Sequence, residues 1–235
     1  MVTGARPVVA VPGLGLSAEI PQRLFRALPT AGPTTVVELP GFGLPAPRGL
    51  AIGLAAQVDR LLDALRGRGP GDPVVLVGHS ASCQLVAEVA AREPERVAGL
   101  VLVGPTTDPR GWTWPALATR WVRTAAHERP GQIPRLVHDY RNTGPVAMAR
   151  TLDAFRRCRI EDSLGSVRCP VLVLRGLHDR IAPADWVAAL ARLPRDGSAV
   201  TVAAGGHMVL STHPRLVAAE VSAFLARRVG VSEGR

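Results

Sequence analysis

At 235 residues the chain can bury around 70–75% of its unfolded surface around one core, and it is too short for two full domains. Its 47% hydrophobic content excludes a disordered chain. Every apolar stretch falls short of the roughly 20 residues of a membrane span, and the segment Met1 to Val11 lacks the form of a signal peptide. The formal net charge of +9 would ordinarily invite nucleic acid, but all 28 basic residues are Arg and none forms a run interleaved with aromatics. The expectation is a cytoplasmic protein with neither nucleic acid nor membrane as partner.

In chain order, Pro7 to Val11 predicts a buried strand that ends in Val11-Pro12-Gly13-Leu14-Gly15, followed by a helix over Ala18 to Leu28. A strand over Thr34 to Leu39 runs into Glu38-Leu39-Pro40-Gly41-Phe42-Gly43. Between Ala51 and Arg66, Leu54, Val58, Leu61, Leu62 and Leu65 share one helical face while Asp59, Arg60 and Asp63 face away, the pattern of packing against a core. The strand Pro73 to Val77 then meets Gly78-His79-Ser80-Ala81-Ser82 and turns helical from Ser82 to Arg92. A serine on such a sharp strand-to-helix turn projects its Oγ out of the sheet, and the helix N-terminus behind it favours a developing negative charge.

After a strand over Val97 to Val103, the stretch from Thr106 to Ser166 breaks the alternation of strand and helix. It holds Trp112, Trp114, Trp121, Tyr140 and Phe155, five of the nine aromatics, and predicts three short helices over Pro115 to Ala126, Ile133 to Asn142 and Pro145 to Arg157. Strand Val171 to Arg175 runs into Asp179, and strand Ala199 to Ala203 into Gly205-Gly206-His207. Helices over Ala184 to Leu193 and Pro214 to Val229 follow these strands, and Val231 to Arg235 reads as a frayed tail. The alternation predicts an α/β fold, a doubly wound, mostly parallel sheet of about six strands.

These loops supply what a serine nucleophile needs: a base, His207, to take the Ser80 proton, and an acid, Asp179, to fix the base's tautomer and stabilise the imidazolium. Cys83, Cys158 and Cys169 are odd in number and lack metal-ligand spacing, so reduced thiols and no metal are expected. His127 and His138 fall in the middle insert as surface or pocket residues, and His213 has the place of a helix-entry residue.

Five motifs in order (Val11 to Gly15, Glu38 to Gly43, Gly78 to Ser82, Gly176 to Pro183 and Gly205 to His207) make the chain resemble the α/β-hydrolase superfamily over nearly its whole length. The resemblance implies a Ser80, Asp179, His207 triad in that chain order, with Asp108 as the competing acid because some relatives place it there. It implies an oxyanion hole from the backbone N–H groups of Leu14 and Ala81. It also implies a core over 1–105 and 167–235, without the family's first hairpin, and a helical cap or lid over 106–166. Two positions depart from the family pattern: Ser82 stands where Gly is usual, and Pro12 where His is frequent.

A cap arching over the carboxyl edge of the sheet would wall a substrate pocket, with Trp112, Trp114, Trp121, Tyr140, Phe155 and Met208 as candidates. The expected activity is cleavage of a small-to-medium carboxylic ester through an acyl-Ser80 intermediate, with no cofactor. Three alternatives stand beside it: a thioesterase acting on acyl groups linked to coenzyme A or to an acidic acyl carrier, a hydrolase of a diketone C–C bond, and a binding module that no longer catalyses.

Overall fold

The computed structural model describes residues 6–28, 32–68 and 73–230; the tail expected over Val231 to Arg235 lies outside them. Eight strands and ten α-helices occur in these segments. β1 (Val8–Val11), β2 (Thr34–Val36), β5 (Val74–His79), β6 (Val97–Val103), β7 (Val171–Gly176) and β8 (Gly197–Val202) form one sheet in the order β2-β1-β5-β6-β7-β8, and β3 (Leu39–Pro40) pairs with β4 (Gly43–Leu44) in a small separate ladder. Every pairing in the large sheet is parallel. The fold is therefore the expected doubly wound α/β sheet of six strands.

Parallel strands covered on both faces must be apolar on both faces, and β5 and β6 are almost wholly buried along their length. Alternate residues supply two cores. Val9, Val11, Leu76, Leu100 and Leu102 pack toward α2 (Leu54–Arg66), α3 (Ser82–Arg92) and α8 (Ala184–Ala191). Val8, Ala10, Val75, Val77 and Val101 pack toward α1 (Glu19–Ala27), α9 (Val209–Thr212) and α10 (Pro214–Phe224). Among the described residues no helix is long and apolar enough to cross a membrane.

Four helices lie between β6 and β7: α4 (Trp114–Ala125), α5 (Ile133–Thr143), α6 (Pro145–Phe155) and α7 (Ile160–Leu164). The first three match the predicted helices to within two residues at each end. The fourth, α7, was not predicted; its Ile160 and Leu164 are buried beside α3, so packing rather than length sustains it.

Two elements end three or more residues earlier than their sequence pattern predicts. β2 stops at Val36, after which the Val37 N–H still reaches the Ala10 carbonyl while Leu39 turns back to bond with Phe42. The last α-helix stops at Phe224 and widens into a π-turn over Leu225–Val229, which keeps Leu225 and Val229 buried before Gly230 closes it at φ 70°.

Candidate active site

Ser80 sits between β5 and α3 at φ 58°, a left-handed conformation that costs a non-glycine residue energy and is held by the surrounding structure. Its N–H donates to the Val103 carbonyl at 2.9 Å. Strand and helix cross so closely behind it that a Cβ on Gly78 would lie 2.6 Å from Val86 Cγ2 and 2.9 Å from Cys83 Cα. Gly78 is thus required by space. The position two residues after Ser80 carries no such demand: Ser82 is fully buried, its Oγ accepting from the His79 N–H at 2.8 Å and lying 2.9 Å from the Val11 carbonyl. The departure from the usual glycine puts a hydrogen-bonded hydroxyl into the turn.

The loops after β7 and β8 bring the other two groups to this point. Ser80 Oγ lies 2.8 Å from His207 Nε2, and His207 Nδ1 lies 2.9 Å from Asp179 Oδ2. The network assigns the ring proton to Nδ1, donating to the carboxylate, and leaves Nε2 to accept from the serine hydroxyl. The other Asp179 oxygen accepts from the N–H groups of Ile181 at 2.8 Å and Ala182 at 3.0 Å. Burial alone would raise the Asp179 pKa, but the His207 charge and these hydrogen bonds together hold it below the ordinary carboxylate value. Burial likewise lowers the His207 pKa, and the Asp179 charge and hydrogen bond outweigh it, leaving His207 more basic than a free imidazole.

Close approaches shape the rim. A Cβ on Gly104, at the end of β6, would lie 3.1 Å from His207 Nδ1 and 3.2 Å from Asp179 Oδ2. A Cβ on Gly176 would overlap the Gly206 carbonyl oxygen. Beneath the acid's loop, the buried Arg175 guanidinium donates to the Ala182 carbonyl at 2.7 Å and to the Asp179 carbonyl at 2.6 Å. Gly176 opens one of the five motifs read in the sequence, whereas neither Gly104 nor Arg175 stood out there, since a strand-end glycine or arginine carries no marker of the loop it touches.

The competing acid is engaged elsewhere. Asp108 is buried, but its carboxylate pairs at 2.8 Å with both Arg110 and Arg120, and His207 is not among its partners.

Ser80, Ala81, Leu14 and His207 line a mostly apolar cavity of about 330 Å³. Among the described residues neither the Leu14 nor the Ala81 amide has a hydrogen-bond acceptor. Of the candidate pocket residues, Trp112, Trp121, Tyr140, Phe155 and Met208 line the cavity. Trp114 does not: it is the first residue of α4, 48% exposed, with the Arg156 guanidinium 5.0 Å above its ring. One helical face points inward, and Leu117 and Trp121 occupy it.

Sequence reading missed Leu16, Met148 and Leu152 in the wall, plain core-type residues in composition. His127 and His138 are exposed and outside the cavity, His127 stacking on His178 at 4.4 Å. His213 stands at the N-cap of α10. Cys83 is buried against the Val103 carbonyl, and burial drives its thiol pKa far up, so it is not a thiolate nucleophile.

A six-stranded parallel sheet with a serine on a strained strand-to-helix turn defines an α/β-hydrolase. The description "Alpha/beta hydrolase family" matches residues 8–220, and the chain belongs to that family. It is similar to the pimeloyl-[acyl-carrier protein] methyl ester esterase of Neisseria meningitidis serogroup A, with 26% identity covering 100% of this chain and 81% of the relative. It is also similar to part of the polyketide synthase ThaQ of Burkholderia thailandensis, with 27% identity covering 96% of this chain and 12% of the synthase. Among solved structures, a hydrolase from Oleispira antarctica superposes with a TM-score of 0.80 at 15% identity, covering 96% of this chain and 92% of that one, a likeness of fold.

Proposed function

We propose that this α/β-hydrolase is a serine esterase that cleaves carboxylic esters with an apolar acyl or alcohol group through an acyl-Ser80 intermediate. The observation that carries the reading is the unbroken relay from Asp179 through His207 to Ser80, with spacings of 2.9 and 2.8 Å. Relatives named as esterases support the choice of bond.

In the proposed cycle, His207 Nε2 takes the hydroxyl proton as Ser80 Oγ attacks the ester carbonyl carbon. Asp179 stabilises the imidazolium. The Leu14 and Ala81 N–H groups hold the oxyanion, each donor worth on the order of 10²–10³ in rate. Collapse expels the alcohol, which receives the proton from His207, and leaves acyl-Ser80. A water deprotonated by His207 then attacks the acyl carbon, and the acid leaves as Ser80 regains its proton. Residues 106–166 act as a cap over a core of 1–105 and 167–235, and Trp112, Trp121, Tyr140, Phe155 and Met208 give the pocket its preference for apolar groups.

Labelling with a fluorophosphonate probe, followed by a series of p-nitrophenyl esters of rising chain length, tests this. The expected result is modification at Ser80, lost in Ser80→Ala, with hydrolysis favouring medium chains. Well-folded protein that neither labels nor turns over any ester would instead indicate a binding module.

A second reading keeps the same site and changes the leaving group to the thiol of an acyl carrier. Ten arginines against six carboxylates in residues 106–166 favour an acidic carrier as partner, as do the carrier-protein and polyketide-synthase names among the relatives, although the former is named for a methyl ester. A carrier-dependent reaction weakens steeply with salt, whereas hydrolysis of a neutral ester does not.

A further inference from the structure

The peptide unit joining His207 to Met208 is gripped at both ends. Its carbonyl accepts from His79 Nε2–H at 3.1 Å, and its N–H donates to Glu128 Oε1 at 2.8 Å. His79 comes from the end of β5, one residue before Ser80. Glu128 comes from the turn after α4, and its second oxygen accepts from Gln132 Nε2 at 2.8 Å, which orients the carboxylate.

The carboxylate reaches this peptide because residue 206 is glycine: a Cβ there would lie 2.6 Å from Glu128 Oε1. The same helix also holds the loop of the acid. Thr124 Oγ1 accepts from the Arg180 N–H at 3.1 Å, and Arg120 Nη1 donates to the Ile181 carbonyl at 3.4 Å.

We propose that Glu128 is a positioning residue for His207, clamping the 207–208 peptide together with His79 so that the imidazole faces Ser80. The inference rests on reading His207 as the general base. A peptide gripped at its carbonyl and at its N–H fixes the backbone that carries the imidazole, the base from which Asp179 and Ser80 aim the ring, and base catalysis depends steeply on that aim. The charge of Glu128 adds a second effect. The charged and titratable groups facing His207 are Asp179 on the β7 loop, His79 and Ser80 at the elbow, and Glu128 after α4; of these the two carboxylates favour the imidazolium, and the Asp179 effect is the larger.

The test compares wild type, Glu128→Gln and Glu128→Ala in two measurements. The first is the pH profile of kcat and kcat/KM on a p-nitrophenyl ester. The second is an NMR titration of His207 in a Ser80→Ala background, which needs no turnover.

Glu128→Gln keeps an oxygen for the Met208 N–H but loses the charge. It should keep a plateau kcat within a few-fold of wild type while the acid limb and the His207 titration move to lower pH. Glu128→Ala should lose roughly 10- to 100-fold in kcat with KM within twofold. A Glu128→Gln protein whose acid limb and His207 titration coincide with wild type would overturn the charge, and a Glu128→Ala protein with wild-type plateau kcat would overturn the clamp.

If Glu128→Ala fails to fold, Glu128→Asp withdraws the carboxylate from the Met208 N–H by one methylene and puts the clamp to the same kcat test, a wild-type plateau again overturning it, while the Gln variant and its NMR titration decide the charge. Should Ser80→Ala stay active, or wild type show no acid limb, it is the general-base reading that fails, a result separable from wild-type behaviour of the Glu128 variants alone.

Discussion

Ser82 Oγ accepts the backbone proton of His79 at 2.8 Å, tying the first turn of α3 to the last residue of β5 across the strained Ser80. Restoring the family's glycine here should therefore weaken the protein. Ser82→Gly leaves the buried His79 N–H and Val11 carbonyl without the hydroxyl and places glycine in the first turn of a helix. The expected loss is about 2–4 kcal/mol in urea unfolding. A variant as stable as wild type would mean that water or a backbone shift replaces the hydroxyl.

Two buried carboxylates stand at the same edge of the sheet, and their partners predict opposite consequences. Asp179→Asn should lower kcat by about 10⁴, because an amide stabilises the wrong tautomer of His207 and not its charged form. Asp108→Asn loses ion pairs to Arg110 and Arg120, so its cost should fall on stability, with kcat within about tenfold of wild type. Steady-state kinetics beside thermal unfolding separates the two, and the reverse ranking in kcat would reassign the acid.

The catalytic candidates were legible because each sits where a β-branched run meets a glycine-rich turn, and a parallel sheet brings such turns to one edge. Ser80, Asp179 and His207 could be placed from that pattern alone. What supports them could not. Glu128 is a lone carboxylate in a polar turn, and nothing in Ala126-His127-Glu128-Arg129 announces a partner 80 residues away. His79 could be seen only as a neighbour of the nucleophile, because the direction of its ring depends on the crossing of β5 with the β8 loop. Trp114 was misjudged for a related reason: it stands seven residues before Trp121 and shares its helical face, but how far along α4 the cavity extends is set by tertiary packing, and Trp114 opens the helix two turns away.

That distinction on α4 gives a third prediction. Trp121 lines the cavity with its ring 5.9 Å from that of His207, while Trp114 lies outside under Arg156. Trp121→Ala should enlarge the pocket and move the preferred p-nitrophenyl ester to longer chains, with kcat/KM for the wild-type optimum falling roughly 10- to 100-fold, the scale of lost apolar contacts. Trp114→Ala should leave the chain-length profile unchanged. Equal shifts in both variants would indicate that the cap as a whole, and not the residues lining the cavity, sets the preference.

Acid stability should be governed by His79. Burial, together with the nearby His207, lowers its pKa to about 4 from 6.5, and the Nε2–H is committed to the His207 carbonyl while Nδ1 has no donor among the described residues. The native state therefore keeps His79 neutral at a pH where the unfolded chain protonates it. Below about pH 6.5 the unfolded state binds the extra proton, so stability falls as pH falls, and the loss is complete near pH 4, amounting to about 3 kcal/mol.

The other members of the network act outside that window or weakly within it. His207, with a raised pKa, contributes stability that is full below the unfolded imidazole value and fades as pH rises through its folded value. Asp179, with a lowered pKa, contributes stability that disappears only as pH falls below the ordinary carboxylate range. His213, also lowered but largely solvated, adds a small change of the same sign as His79. Urea unfolding between pH 7 and 4 should thus show a slope that His79→Gln, which retains a donor for the His207 carbonyl, flattens. Parallel stability curves for the two proteins would show that His79 is protonated in the folded state, and the neutral clamp on the His207–Met208 peptide would then have to be abandoned.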